Sequence, residues 1–237
     1  QMDSVTIEVP DTTLVPDSGP TVASRTTMVV GALVQECCRE LRNEVQKFPG
    51  AFEAAADAYL AEYNSLRVEK EFSNPAKAVW DDQTYQGDAY AAYTWAANVA
   101  DVEVDLDTFE TRVEKLWTVA EIGKAIHPIM AEGQLEGGAV QAVGYGLLEE
   151  AIMKDGRMIN NQMTDYLIPT AVDAPLTETI LLEDPYPHGP FGAKGIGELP
   201  HNGPAPAVVS AIEAATGISL CEIPATPERL ARAKGTS

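Results

Sequence analysis

Apolar residues recur at two periods along this chain, and the switch between them marks its elements. Strict alternation, the period of a half-buried strand, is clearest in Val102-Glu103-Val104-Asp105-Leu106. Tyr90–Leu106 reads as one long or bent strand, Asp107-Thr108 as its turn, and Thr111–Ile122 as the returning strand of an antiparallel hairpin. Its aromatic residues Tyr93, Trp95 and Trp117 are expected in the core. Ser4–Val9 also alternates like a strand, with nothing before it to pair with. Asn160–Pro169 and Thr177–Glu183 read as short extended pieces, Glu69–Tyr85 as a loop and Lys154–Arg157 as a turn.

Helical spacing predicts a helix opening over Thr21–Thr27 and running to about Lys47, then Ala51–Asn64, Ala131–Met153, Pro204–Gly217 and Glu228–Ala233. Ser24, Thr26 and Thr27 are all candidate N-caps of the first. The Ala-rich face of the second is expected to pack on a sheet. Hairpin strands followed by long helices imply an α+β fold with mixed sheets and packed helices.

Composition narrows the partners. The 237 residues suffice for one large domain or two small ones, and 45% are hydrophobic, so a core can form. The formal net charge is −20, from 36 acidic against 16 basic residues. That argues against nucleic acid and against anionic membrane surfaces. No apolar run is long enough to span a bilayer, and no signal peptide reads at Gln1-Met2-Asp3-Ser4. Cys37, Cys38 and Cys221 show no disulfide, zinc or iron–sulfur spacing and are expected as buried small hydrophobes, in a cytoplasmic setting.

Three stretches carry candidate chemistry. Tyr186–Pro200 holds four glycines and three prolines with Glu198 near its end, directly before a helix. Glycines there allow close backbone approach to a ligand. A carboxylate held between such a loop and a helix can serve as a base, or it can simply be solvated on the surface. The second stretch, Pro20-Thr21-Val22-Ala23-Ser24-Arg25-Thr26-Thr27, offers helix-start N–H groups, hydroxyls and a guanidinium together. That suits a phosphate or another oxygen-rich ligand, and equally an ordinary capped helix. The third is a helix with five glycines, Gly133, Gly137, Gly138, Gly144 and Gly146, each costing about 1 kcal/mol relative to Ala. Either tight packing or a closely approaching ligand explains them, with Gln134 able to donate and accept. His127, alone before Pro128, reads as structural; His188 and His201 flank the glycine loop and are better, though weak, contact candidates.

Gly192-Ala193-Lys194-Gly195-Ile196-Gly197-Glu198-Leu199-Pro200 resembles the active-site loop of the molybdenum hydroxylases, the xanthine dehydrogenase and aldehyde oxidase family. Pro20–Thr27 and Gly133–Gln141 resemble two further segments of that family, in the family's order. The resemblance implies the family's molybdopterin-binding domain over residues 1–237. Two subdomains are expected, residues 1–70 with 125–237 around the cofactor and 71–124 as a hairpin region. Glu198 falls on the catalytic glutamate, and Ala23, Ser24, Arg25, Thr26, Gln134, Lys194, Gly195 and Gly197 on cofactor-contacting positions. Lys194 would pair with the cofactor phosphate or favour ionised Glu198, unless it is a plain exposed lysine. Arg25 would contact the phosphate or form a structural salt bridge.

The resemblance further implies a molybdopterin, or its cytosine dinucleotide form, whose dithiolene and not the protein holds the molybdenum. The implied reaction is hydroxylation of an electron-poor carbon with water as oxygen source. A purine or other N-heterocycle is favoured over the aldehydes, aryl-CoA thioesters or carbon monoxide that relatives use. Electrons would pass to iron–sulfur clusters and FAD on partner chains. A second molybdopterin-binding chain would carry the upstream part of the domain, which makes this chain a separate small subunit or a processed piece. The alternative is a non-catalytic cofactor-binding or assembly module that completes a partner's site.

Overall fold

The computed structural model describes residues 5–73 and 80–235. Helix α1 (Arg25–Val45) and helix α2 (Phe52–Tyr63) come first. A two-residue hairpin follows, β1 (Trp80–Asp81) with β2 (Gln86–Gly87). The main sheet is built from β3 (Trp95–Val104) and β4 (Thr111–Glu121). Helix α3 (Pro128–Leu147) leads to a second small hairpin, β5 (Met153–Lys154) with β6 (Arg157–Met158). Strand β7 (Leu176–Leu182) then returns to the main sheet. Three short helices close the chain: α4 (Leu199–Asn202), α5 (Pro204–Thr216) and α6 (Pro227–Gly235).

The sheet order is β3-β4-β7. β3 and β4 pair antiparallel from Trp95↔Glu121 to Val104↔Thr111, with a bulge at Asp101/Val102. The turn between them is fixed by the Asp105 carboxylate, which accepts from the N–H groups of Asp107 (2.8 Å) and Thr108 (2.9 Å). Those bonds, Thr108's first, hold its carboxyl below the usual range. β7 lies parallel to β4, from Lys115↔Leu176 to Glu121↔Leu182. Parallel strands need a long crossover, and α3 supplies it.

One face of this sheet is buried under α3 and α5. Val208 and Ile212 of α5 pack with Phe109, Val113, Val143 and Leu230, while Val102 and Val104 close the cluster from β3. A second cluster, Ala120, Ile122, Ala131 and Leu135, packs with Ile196 and Leu199 directly under the glycine loop. The other face is open. Trp95 and Leu176 on it are 72% and 74% exposed, and Val99, Ile180 and Leu182 are exposed beside them.

The glycines of α3 divide into two sets. A Cβ on Gly138 would run into Pro200, one on Gly144 would lie 2.6 Å from Pro169, and one on Gly146 would touch Ala205. Those three are packing glycines. A Cβ on Gly133 or Gly137 would meet nothing within 4 Å.

Several expectations fail. Val5–Val9 forms no strand, since no neighbouring strand lies beside it to pair with, and Ser4 lies outside the described residues. Strand β3 starts at Trp95 rather than Tyr90, and Tyr93 and Trp95 are exposed, not core, because the outer face of the sheet is uncovered. The segment 160–169 has no strand. Helix α3 stops at Leu147, and Met153 belongs to β5. Helix α2 packs on α1, not on a sheet, and its Tyr59 and Tyr63 rings meet Phe48 of the connection edge-on. Glu69–Tyr85 includes β1, and its residues 74–79 lie outside the described ones. Cys38 and Cys221 are exposed and Cys37 half-buried, so none serves as a core residue. Helix α1 exposes most of its surface, which leaves two adjacent positions on it partly in solvent.

Candidate functional site

A cleft of about 440 Å³ opens where three distant segments meet: Thr21–Thr27 at the start of α1, the β4–α3 connection with Gln134, and Ala193–Glu198. All the site residues that the sequence singled out line it, namely Ala23, Ser24, Arg25, Thr26, Gln134, Lys194, Gly195, Gly197 and Glu198.

The glycine loop is bound to the end of β4. Lys194 N–H donates to the Ile122 carbonyl (3.0 Å), and Lys124 N–H donates to the Gly192 carbonyl (2.8 Å). Gly123 has a φ of +71°, and a Cβ there would strike the Gly192 carbonyl. The close approach of the two segments therefore requires glycine at that position.

The start of α1 meets the loop from the other side. Ala23 and Ser24 both have positive φ, 52° and 54°, a conformation costing about 1–3 kcal/mol for each non-glycine residue. The turn aims the Ser24 carbonyl straight at Gly195, where any Cβ would overlap it. Ser24 does not cap α1, contrary to expectation, because its hydroxyl is turned to Glu198. It accepts from the Glu198 N–H (2.9 Å) and donates to Glu198 Oε2 (3.2 Å). No side chain caps α1 at this position, so N–H groups of its first turn remain for an oxygen-rich ligand in the cleft.

Gln134 ties α3 to the same loop: its Nε2 donates to the Gly197 carbonyl (3.0 Å). Glu198 is exposed, at the point where the loop enters α4.

The two cations are used differently from what the sequence suggested. Lys194 Nζ lies 2.7 Å from Glu121 Oε2 and 3.0 Å from the Tyr93 carbonyl, with only 12% of its side chain exposed. It is neither paired with Glu198 nor a plain surface lysine. Arg25 Nη1 donates to the carbonyls of Ser18 (2.9 Å) and Pro20 (3.0 Å), so it braces the preceding loop and makes no salt bridge. His127 caps α3, its Nδ1 accepting from the Met130 N–H (3.3 Å), and also lines the cleft. His188 packs edge-on against Tyr186 and His201 lies beside Tyr145. Neither lines the cleft. Glu121 was missed in the sequence: its partner is 73 residues away, and a glutamate at a strand end carries no local signal.

Removing one partner of a nearly buried ion pair strands the other charge. Lys194→Met is expected to destabilise the fold by about 3 kcal/mol, a Tm loss of roughly 6–12 °C for a chain of this size. Adding Glu121→Leu should restore most of it. An unchanged Tm in the single variant would mean that solvent screens the pair.

Among the described residues, no group of three or more His, Cys, Asp or Glu side chains is placed to hold a metal ion. No helix among them is long and apolar enough to cross a membrane.

Comparison with known proteins adds the chemistry. Residues 1–175 match the family model of the molybdopterin cofactor-binding domain. The chain is 31% identical to a probable xanthine dehydrogenase subunit from Bacillus subtilis, over 98% of this chain and 33% of that protein. It superposes on aldehyde oxidoreductase of Desulfovibrio desulfuricans with a TM-score of 0.81 at 32% identity, covering 92% of this chain and 24% of the other. It is 40% identical to quinoline 2-oxidoreductase of Pseudomonas putida over 56% of this chain and 18% of that one, with a TM-score of 0.54. The chain spans about a quarter to a third of the length of the curated relatives that it matches over nearly its whole length.

Proposed function

Since the chain belongs to the molybdenum hydroxylases through their molybdopterin cofactor-binding domain, we propose that it forms the cofactor-facing part of an oxidoreductase that hydroxylates an electron-poor carbon with water. The observation that carries this reading is the placement of Glu198. It is a carboxylate fixed on the wall of a cleft that also takes the uncapped start of α1. The cleft suits an anionic, oxygen-rich group: the uncapped start of α1, Thr26 and Gln134 line one space, and the glycines of the loop let its backbone come close to a ligand there.

Thr26 would hold the cofactor through its hydroxyl, Gln134 through its amide, and Ala23, Ser24, Gly195 and Gly197 through their backbone. Arg25 and Lys194 would support it from behind, since Arg25 Nη1 and Lys194 Nζ are engaged elsewhere. The bound molybdenum pterin supplies the two-electron and oxygen-transfer chemistry. Glu198 accepts the proton that the reacting water gives up, being held within reach of the cleft. Gln134 keeps α3 against the loop, so the carboxylate does not drift as substrate enters.

An N-heterocycle is the favoured substrate, supported by the likeness to quinoline 2-oxidoreductase and to a xanthine dehydrogenase subunit. The rest of a longer molybdopterin-binding subunit, with iron–sulfur and FAD chains, would complete the enzyme. The open apolar face of the β3-β4-β7 sheet, with Trp95, Val99 and Leu176 exposed, supports such company.

The test is metal and pterin analysis of the complex purified through this chain. Molybdenum and pterin at one per chain, with co-purifying flavin and iron, is the expected result. An intact, folded complex without molybdenum would overturn the reading in favour of an assembly module.

A further inference from the structure

We infer that Ser24 is the positioning residue of Glu198. Resting on the reading of Glu198 as base, this gives Ser24 a role that family resemblance does not: it acts on the carboxylate, not only on the cofactor. One hydroxyl bridges the two ends of the same residue. Its oxygen accepts from the Glu198 N–H at 2.9 Å and its proton goes to Glu198 Oε2 at 3.2 Å. A hydroxyl has one proton to give, so both its donor and an acceptor site are spent on Glu198. The side chain of a glutamate has three rotatable bonds, and on an exposed loop it would sample many rotamers. Closing a ring from its backbone to its carboxylate through Ser24 selects one of them. Oε2 accepts that bond, and Oε1 is the oxygen that would accept a proton in the cleft.

The surroundings are built to bring this hydroxyl to Glu198. Ala23 and Ser24 adopt positive φ, and the Ser24 hydroxyl, although at the N-cap position of α1, makes no capping bond and turns toward the loop. Gly195 is in contact with the Ser24 carbonyl, and a Cβ built on Gly197 would lie 3.4 Å from the Ser24 hydroxyl. A strained turn that gives up a helix cap to reach one carboxylate 174 residues away is accounted for by a positioning role. Ordinary capping would need neither the strain nor the reach.

The test uses Ser24→Gly and Ser24→Ala in the assembled holoenzyme. Both remove the hydroxyl, and the glycine also relieves the positive φ, so at least one variant folds. In both, kcat should fall about tenfold to a hundredfold, the scale of a misplaced catalytic group, while KM and molybdenum content stay at wild-type values. Amide hydrogen exchange at Glu198, read without any turnover, should accelerate in both, because its acceptor is gone. Wild-type kcat in both variants would overturn the inference. So would molybdenum lost in step with activity, which would make Ser24 a cofactor-holding residue. The premise is tested separately: full turnover in Glu198→Gln would remove the base assignment whatever Ser24 does.

Discussion

Glu198→Gln should lower turnover about a thousandfold, within the range expected for a positioned general base, and leave everything else nearly unchanged. The amide matches the carboxylate in size. It can still accept from the Ser24 hydroxyl, and the backbone N–H of residue 198 still donates to that hydroxyl. The side chain is exposed and caps no helix, so its charge holds no buried partner whose loss would loosen the loop. Molybdenum, pterin and assembly should therefore match wild type. KM should hold too, because proton acceptance matters only as the reaction proceeds. Steady-state kinetics beside metal analysis reads both halves. Near-wild-type kcat at full metal loading would take Glu198 out of the chemistry.

Gly195→Ala should also cost activity, by a different route. Its Cβ would overlap the Ser24 carbonyl, a backbone atom at the head of a 21-residue helix that has little freedom to give. The loop must shift instead, and Glu198 lies three residues on. A displacement of about 1 Å is enough to cost roughly a hundredfold in rate, with about 1–3 kcal/mol of stability from overpacking. Gly133→Ala is the matched control. Its Cβ meets open space, and alanine gains about 1 kcal/mol over glycine in a helix interior. The control should thus unfold no earlier than wild type. Equal activity loss in both would point to an approaching group at Gly133, and no loss in Gly195→Ala would mean that the loop yields without moving Glu198.

How much of this was legible in the sequence follows the range of the forces involved. Local patterns held. The alternation over Val102–Leu106 does place Val102 and Val104 toward the core, although the strand ends there and Leu106 is exposed in the turn, and the helices at Pro204 and Pro227 begin where proline permits a first turn. Patterns that depend on a distant neighbour did not hold. Val5–Val9 alternates as well as any strand but has no strand beside it, and an alternating segment is a strand only when its backbone is paired. Trp95 is as apolar as a core residue can be, yet it faces a side of the sheet that this chain leaves bare. At the site, residue types could be read and their uses could not. Serine before a helix suggests a cap, lysine near a glutamate suggests a pair, and arginine among helix-start hydroxyls suggests a phosphate. The structure spends Ser24 on Glu198, Lys194 on Glu121 and Arg25 on its own upstream carbonyls. Each choice turns on a residue or a backbone turn whose position sequence spacing does not give.

The separation between Ser24 and Glu198 also sets an order of events during folding. Contacts this far apart in the chain close late, because the entropy of a long loop must be lost before the contact returns anything. During synthesis, α1 emerges long before the glycine loop exists, and its strained Ala23–Ser24 turn then has nothing to hold it. The β3–β4 hairpin, with neighbours close in sequence, can form first and present the end of β4 to which the loop later attaches. The cleft is thus expected to close after the hairpin, and a bulky ligand would enter while its two walls are still apart.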